Sequence, residues 1–271
     1  MEIDINYILS SVENSIIESP KKIRYRNNIL FSIGLDENQE IEVGPLLKSG
    51  IVKPARTNLL ISELGVEVCE CMREYLRYHT NIPIFCQKTQ KGLWRHMQIR
   101  ENSENEYLIN LRLTNYEKYC DKLEKEKDKM IKFLELNVVY KLIQINYQKI
   151  IDRREPTVND SLYNFYFKNN LYQRMLGKTF IISPLCFYQV NYSTAKLMFS
   201  KVIELFPNFK KYDLLLDLCC GIGVYSFILQ EKFNKIIGID SNPNNIKTAH
   251  ELKKYNPSHN ITFIENKIEN I

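Results

Sequence analysis

The sequence predicts a two-part fold: a small α+β module followed by an α/β, Rossmann-like parallel sheet. Three observations predict it. Over 58–147 the apolar periodicities run helix, hairpin, helix, strand, which is the order of helices laid on one face of a sheet. From Tyr188 onward strands and helices alternate, as in a parallel sheet with right-handed crossovers. Between the two, residues 148–178 read as irregular and polar, with Pro156 and Gly177 as breakers.

Residues 1–17 read as a short helix, with Ile5, Ile8, Val12 and Ile16 at near-helical spacing. Ile23–Leu35 is β-like and turns or ends at Gly34. Asn58–His79 reads as a helix, because Leu60, Leu64, Val68, Met72 and Leu76 recur every four residues and give one apolar face. Strands Trp94–Arg100 and Tyr107–Leu113 form a hairpin around the polar turn Glu101–Glu106. A charged helix, Tyr116–Glu135, sets Tyr119, Leu123, Met130 and Leu134 on one side and gives its Glu and Lys residues to water. Asn137–Tyr147 is a further strand. After the break come a helix over Tyr188–Phe206, a buried strand Leu214–Leu218, a helix Val224–Lys232, a strand Lys235–Ile239, a helix Asn244–Tyr255 and a last strand Ile261–Ile264. The implied division is a β-rich segment, 1–50, packing with the C-terminal part; the α+β module, 51–155; and the Rossmann-like part, 156–271.

The 271 residues are 44% apolar and 25% charged, enough to bury a core. No apolar run has the length of a membrane span. The acidic start, MEIDINYILSSVENSII, lacks the basic n-region and cleavage site of a secretory signal. Seven cysteines, an odd number at irregular spacing with no C-x-x-C, point to free thiols in a reducing compartment, cytoplasmic or nuclear, and against a metal site. A net charge of +5 permits a nucleic-acid partner without demanding one.

The strongest chemical signal is DLLLDLCCGIGVYSFILQEKFNKIIGID. A strand ends at Leu218, a turn with Gly221 and Gly223 follows, a helix begins, and the next strand ends in Asp240. Glycines let backbone approach a ligand closely. A ligand at the carboxyl ends of the strands would meet an acid able to accept both ribose hydroxyls of an adenosine. A dinucleotide needs a third glycine at the pyrophosphate turn; Val-Tyr-Ser-Phe follows Gly223 instead, which favours S-adenosylmethionine over NAD. Asp217 would orient the cofactor's amino group or cap the loop, and Cys219 and Cys220 would lie against the cofactor or merely fit a tight turn.

These residues and their surroundings resemble the tRNA/rRNA uracil-5-methyltransferase family. The resemblance rests on four segments in order: SPKKIRYRNNILFSIG from Ser19, GLWRHMQIR from Gly92, FIISPLCFYQVN from Phe180, and LLDLCCGIG. It implies an incomplete class I S-adenosylmethionine methyltransferase fold behind an RNA-binding module. It implies that Gln189 and Asp240 contact the cofactor and that Arg26, Trp94 and Arg95 contact tRNA or another structured RNA. Cys219 stands where the family often has Tyr or Phe, and Asn28 where it has Lys or Arg.

The resemblance also implies a mechanism. A cysteine thiolate adds to carbon 6 of a uracil flipped from its stack, carbon 5 takes the methyl group, and a base removes its proton. The family's Asp-Pro-Pro-Arg segment, nucleophilic Cys and base Glu lie beyond the third strand, and no residue here matches them; Cys186 and Cys220 read as buried, inert thiols. Two functions therefore stand: a uracil-5-methyltransferase whose catalytic portion lies outside these residues, or a non-catalytic RNA-binding relative acting as a tRNA chaperone. In either, the strand ending at Leu218 is expected to be an apolar sheet edge.

Overall fold

The computed structural model describes residues 17–151, 160–206 and 210–270; the helix expected over 1–17 and Pro156 lie outside them, apart from Ile17. The first half is one six-stranded sheet. Strand β1 (Asn28–Leu35) pairs antiparallel with β2 (Ile41–Gly44). Helix α1 (Glu63–Tyr78) starts at Ser62, whose hydroxyl accepts the Gly65 N–H at 3.0 Å and so satisfies one of the helix's orphan donors. The hairpin expected from the alternation is β3 (Trp94–Glu101) and β4 (Glu106–Thr114), with Ile99 opposite Ile109 and Met97 opposite Leu111.

Helix α2 (Tyr116–Asn137) then crosses to β5 (Lys141–Ile150), which runs parallel to β4. That strand begins later than the sequence pattern suggests, because the helix continues to Asn137. β1 completes the sheet by pairing with β3, so the strands of the N-terminal segment and the hairpin form one layer. Helices α1 and α2 bury Val68, Met72, Tyr75 and Leu134 against Phe31, Met97 and Leu111.

The described residues of 148–178 hold more regular structure than their polarity suggests. They include β6 (Tyr163–Phe167), paired with β5, and β7 (Tyr172–Met175), which pairs with β8 (Lys178–Ile181). Leu176 and Gly177 form the two-residue turn of the β7–β8 hairpin, with φ of +51° and +73°. The glycine read as a breaker supplies one of the two left-handed positions such a turn needs.

Helix α3 (Tyr192–Glu204) is shorter than the expected 188–206, because the Asn191 side chain accepts the Thr194 N–H at 3.1 Å and fixes the start there. Then come β9 (Tyr212–Leu218), α4 (Val224–Ile228), β10 (Phe233–Asp240), α5 (Pro243–Leu252) and β11 (Ile261–Glu265). The three strands are parallel, in the order β11-β10-β9, so β9 is the sheet edge as expected. The expectation that this strand is buried fails. Residues paired in register share a face, and Leu214, Leu216 and Leu218, opposite Lys235, Ile237 and Ile239, are 48%, 53% and 49% exposed. Leu215 and Asp217 point the other way, toward the face carrying Ile236 and Gly238. Among the described residues no helix is long and apolar enough to cross a membrane.

Candidate functional site

The site is built at the carboxyl ends of β9 and β10. After Leu218 the chain turns through Cys219, Gly221 and Gly223, with φ of +57°, +57° and +81°, into α4. The Cys220 N–H donates to the Ile239 carbonyl at 2.9 Å, which ties the loop to β10. Asp240, the last residue of β10, holds the loop from the other side. Its Oδ2 accepts the Gly221 N–H at 2.8 Å, and its Oδ1 accepts the Asn242 N–H at 2.8 Å and the Asn245 side-chain amide at 3.0 Å. A carboxylate has about four acceptor sites. These three bonds therefore fix its orientation and leave Oδ2 able to accept once more.

The two loop glycines have different reasons to be glycine. A Cβ on Gly223 would sit 2.5 Å from the Phe263 ring, and one on Gly238 2.7 Å from the same ring. Gly223 thus makes room for a core aromatic, a requirement that the reading of both glycines as room for a ligand did not include. A Cβ on Gly221 would meet no heavy atom within 4 Å, so the loop is open there. Asp217 is buried and caps the loop: its Oδ2 accepts the Ser226 hydroxyl at 2.6 Å and the Ser226 N–H at 3.1 Å. Burial raises its carboxyl above the usual range, and the two Ser226 bonds oppose that rise. Cys219 is exposed, whereas Cys220 is buried and its thiol is pushed up by desolvation.

Gln189 precedes α3 in a segment pinned from three sides. Arg100, buried in β3, donates from Nη1 to the Ser183 carbonyl and, at 2.5 Å, to the Cys186 carbonyl. Burial lowers its guanidinium to about 10. The Cys186 thiol, also raised by burial, lies 3.5 Å from the Asn244 carbonyl and 3.4 Å from the Thr248 hydroxyl on α5, the helix that follows Asp240. The Asn27 side-chain amide donates to the Gln189 carbonyl at 3.1 Å, and the Asn27 N–H to that of Val190 at 3.0 Å. The segment bearing Gln189 therefore sits between the module and the start of α5.

The three residues assigned to RNA separate. Arg26 is exposed and its backbone bridges to Asn191 and Ile61. Arg95 is partly buried, its guanidinium 4.8 Å from the centre of the Phe85 ring. Trp94 is 0% exposed in the module core, so it is no surface on which a base can stack. Its indole is the sort of large apolar body that a helix-covered sheet face buries.

Sequence reasoning missed the other face of the six-stranded sheet. Gln98, Asn110 and Asn146 are register partners there, flanked by Arg100 and Gln148, and all are buried. The Asn110 side-chain amide donates to the side-chain oxygens of Gln98 and Gln148 at 3.3 and 3.0 Å, while among the described residues the side-chain oxygens of Asn110 and Asn146 meet no donor. Leu108, register partner of Arg100 and so on this same face, belongs to the C-terminal core. Alternating polar residues in HMQIR and QINYQ carried the signal, but such alternation ordinarily marks a solvent face. Glu101, treated only as a turn residue, is also part-buried, and its carboxyl is pushed up to about 7, chiefly by desolvation.

Residues 210–271 match the family model described as a methyltransferase domain. An uncharacterized RNA methyltransferase of Oceanobacillus iheyensis is 28% identical over 250 residues, covering 91% of this chain and 52% of that protein. A putative RNA methyltransferase of Acanthamoeba polyphaga mimivirus is 27% identical over 282 residues, covering 98% of this chain and 67% of the relative. The chain thus spans about half to two thirds of the length of the curated relatives it matches. The crystal structure of Pyrococcus abyssi tRNA (uracil-54, C5)-methyltransferase in complex with S-adenosyl-L-homocysteine superposes with a TM-score of 0.69 at 19% identity, over 91% of this chain and 56% of that one. The methyltransferase fold read from the sequence, and the likeness to RNA methyltransferases, are borne out.

Proposed function

From its likeness to the RNA methyltransferases, we propose that this chain holds S-adenosylmethionine and a structured RNA, tRNA foremost, for methylation of carbon 5 of a uridine. The observation that carries the proposal is the Asp240 carboxylate at the strand end, bonded to the Gly221 N–H and keeping acceptor capacity toward the open side of the loop. An adenosine ribose fits that arrangement: Asp240 would accept a hydroxyl, and the loop backbone and Gln189 would help to hold the nucleoside. Asp217 acts one step back, by capping α4 and fixing the loop, with its second oxygen left for an ammonium group. The cofactor would supply the methyl group. The residues here bind and orient it, and Arg26 and Arg95 meet RNA phosphate from the module.

Calorimetric titration with S-adenosylhomocysteine tests this. Binding weakened about tenfold by Asp240→Ala, a loss of about 1.4 kcal/mol, is the expected result. Absence of binding, or an unchanged affinity in the variant, sinks the cofactor assignment. One observation favours a second reading, an RNA-binding relative without catalysis: the two buried thiols at the loop and the segment beside it, Cys220 and Cys186, are held neutral by burial. Binding of unmodified tRNA that weakens steeply with salt, in a chain that ignores S-adenosylhomocysteine, would select it.

A further inference from the structure

A cleft of about 370 Å³ opens where the N-terminal ends of α1 and α3 meet the β3–β4 turn. No residue of the cofactor loop lines it. Its size is that of a small-ligand pocket, roughly 300–1,000 Å³. Three tyrosines line it, Tyr25, Tyr140 and Tyr192, together with two carboxylates, the exposed Glu63 and the more buried Glu101.

The Glu101 carboxylate is held in place. The Ser62 hydroxyl, while accepting the Gly65 N–H at the head of α1, donates to Glu101 Oε2 at 2.9 Å. Among the described residues no donor meets Oε1. Oε2 also keeps a second lone pair, so this carboxylate, which lines the cleft, retains acceptor capacity on both oxygens. A planar ligand with two adjacent N–H donors on one edge fits such a pair. Among the nucleobases only guanine has it, in N1–H and N2–H; adenine, cytosine and uracil each place an acceptor beside their donor and would set it against the carboxylate.

We propose that this cleft takes a guanine base of the RNA, unstacked from its neighbours, with Glu101 accepting N1–H and N2–H between walls of tyrosine. The source of the base rests on the RNA reading above; the base chemistry rests on the cleft alone. The groups facing Glu101 are Ser62 and Glu63 from α1, Lys21 and Tyr25 from the N-terminal segment, Tyr140 ahead of β5 and Tyr192 from α3. Desolvation raises the carboxyl to about 7, with the Ser62 bond and the Lys21 charge opposing the rise. The acceptor pair is therefore present above that pH and lost as the pH falls through it.

The test uses the full chain and three probes: guanosine, inosine and adenosine 5′-monophosphates, titrated calorimetrically at about pH 8 and about pH 6. Inosine lacks only the 2-amino group. The expected result is guanosine monophosphate bound about tenfold more tightly than the other two at the higher pH, with the preference shrinking at the lower. Glu101→Gln is expected to bind all three alike while its affinity for S-adenosylhomocysteine matches that of the wild-type chain. Equal or absent binding of the three by the unaltered chain overturns the proposal, whether or not the variant folds. So does a guanosine preference that survives Glu101→Gln. A guanosine preference in a chain that binds no tRNA would leave the pocket standing and remove the RNA reading; tRNA binding without the preference would do the reverse.

Discussion

The two sheets of this molecule meet the same requirement with different success. The six-stranded sheet has α1 and α2 sealing one face, and on the other its buried amides bond one another around Asn110. The three-stranded sheet has α4 and α5 contributing to the core on the side of Leu215 and Ile236, while Leu214, Leu216 and Leu218 stand about half exposed. Its sequence, DLLLDL, is the near-continuous apolar run of a strand meant for burial on both faces. An apolar pattern states a strand's demand for cover; whether the demand is met depends on a second layer. The polar face of the first sheet shows the converse, since residues that read as solvent-facing are buried where two halves of the chain meet.

The largest expected effect bears on the sealed sheet. Trp94 is wholly buried beside Leu93 and Met97, so Trp94→Ala should cost about 3–5 kcal/mol of unfolding free energy in urea titrations. A variant that kept its stability but lost RNA affinity would return Trp94 to the surface and break the contrast.

Next come the loop glycines, which probe the open sheet. Gly223→Ala pushes a methyl group into Phe263 at a residue with φ of +81°, and should cost about 2–3 kcal/mol. Hydrogen exchange should quicken over β9–β11 and leave β3–β5 protected. Gly221→Ala, with open space around it, carries only the left-handed backbone penalty of about 1 kcal/mol. Equal costs would mean that the Phe263 packing does not distinguish the two positions.

Most of the fold was legible because its elements carry long periodic patterns. The α1 and α2 faces, the β3–β4 hairpin and the alternation after Tyr212 were all read correctly in kind. What escaped was short or decided at a distance. β6, β7 and β8 have four or five residues each, too few for a period, and the α3 start turns on the Asn191 cap. In the site, the placing of the Gly221 turn and Asp240 at neighbouring strand ends followed from strand, turn and strand order; the bond between them did not. The roles of Arg100 and Glu101 did not, because they depend on backbone brought in from residues 183–186 and on Ser62, 39 positions away.

Glu101 sharpens the comparison by showing a cost inside the well-covered sheet. Its carboxyl lies at about 7 in the folded chain against 4.5 for the free group. Between those values the folded state alone holds the proton, so stability falls as pH rises from about 4.5 to 7 and is level above. Glu101→Gln should therefore leave stability unchanged near pH 4 and raise it by about 2 kcal/mol at pH 8, read as the urea midpoint at each pH. A pH-independent gain would assign the effect to packing instead of charge. The native acid at this position is then a sacrifice of stability, as binding residues commonly are.

The smallest stability effect tests the open face directly. Leu216 is 53% exposed, so Leu216→Lys loses little burial and should shift the unfolding free energy by no more than about 0.5 kcal/mol. Its effect should appear in association instead. A charge on β9, the edge strand among the described residues, disfavours strand addition by another chain, so sedimentation should show less self-association than in the unaltered protein. The same change at Leu111, buried under α1 and α2, has no such latitude and should unfold the module. A loss above about 1 kcal/mol from Leu216→Lys would show that this leucine is covered in solution, and the difference between the two sheets would then be one of partners and not of pattern.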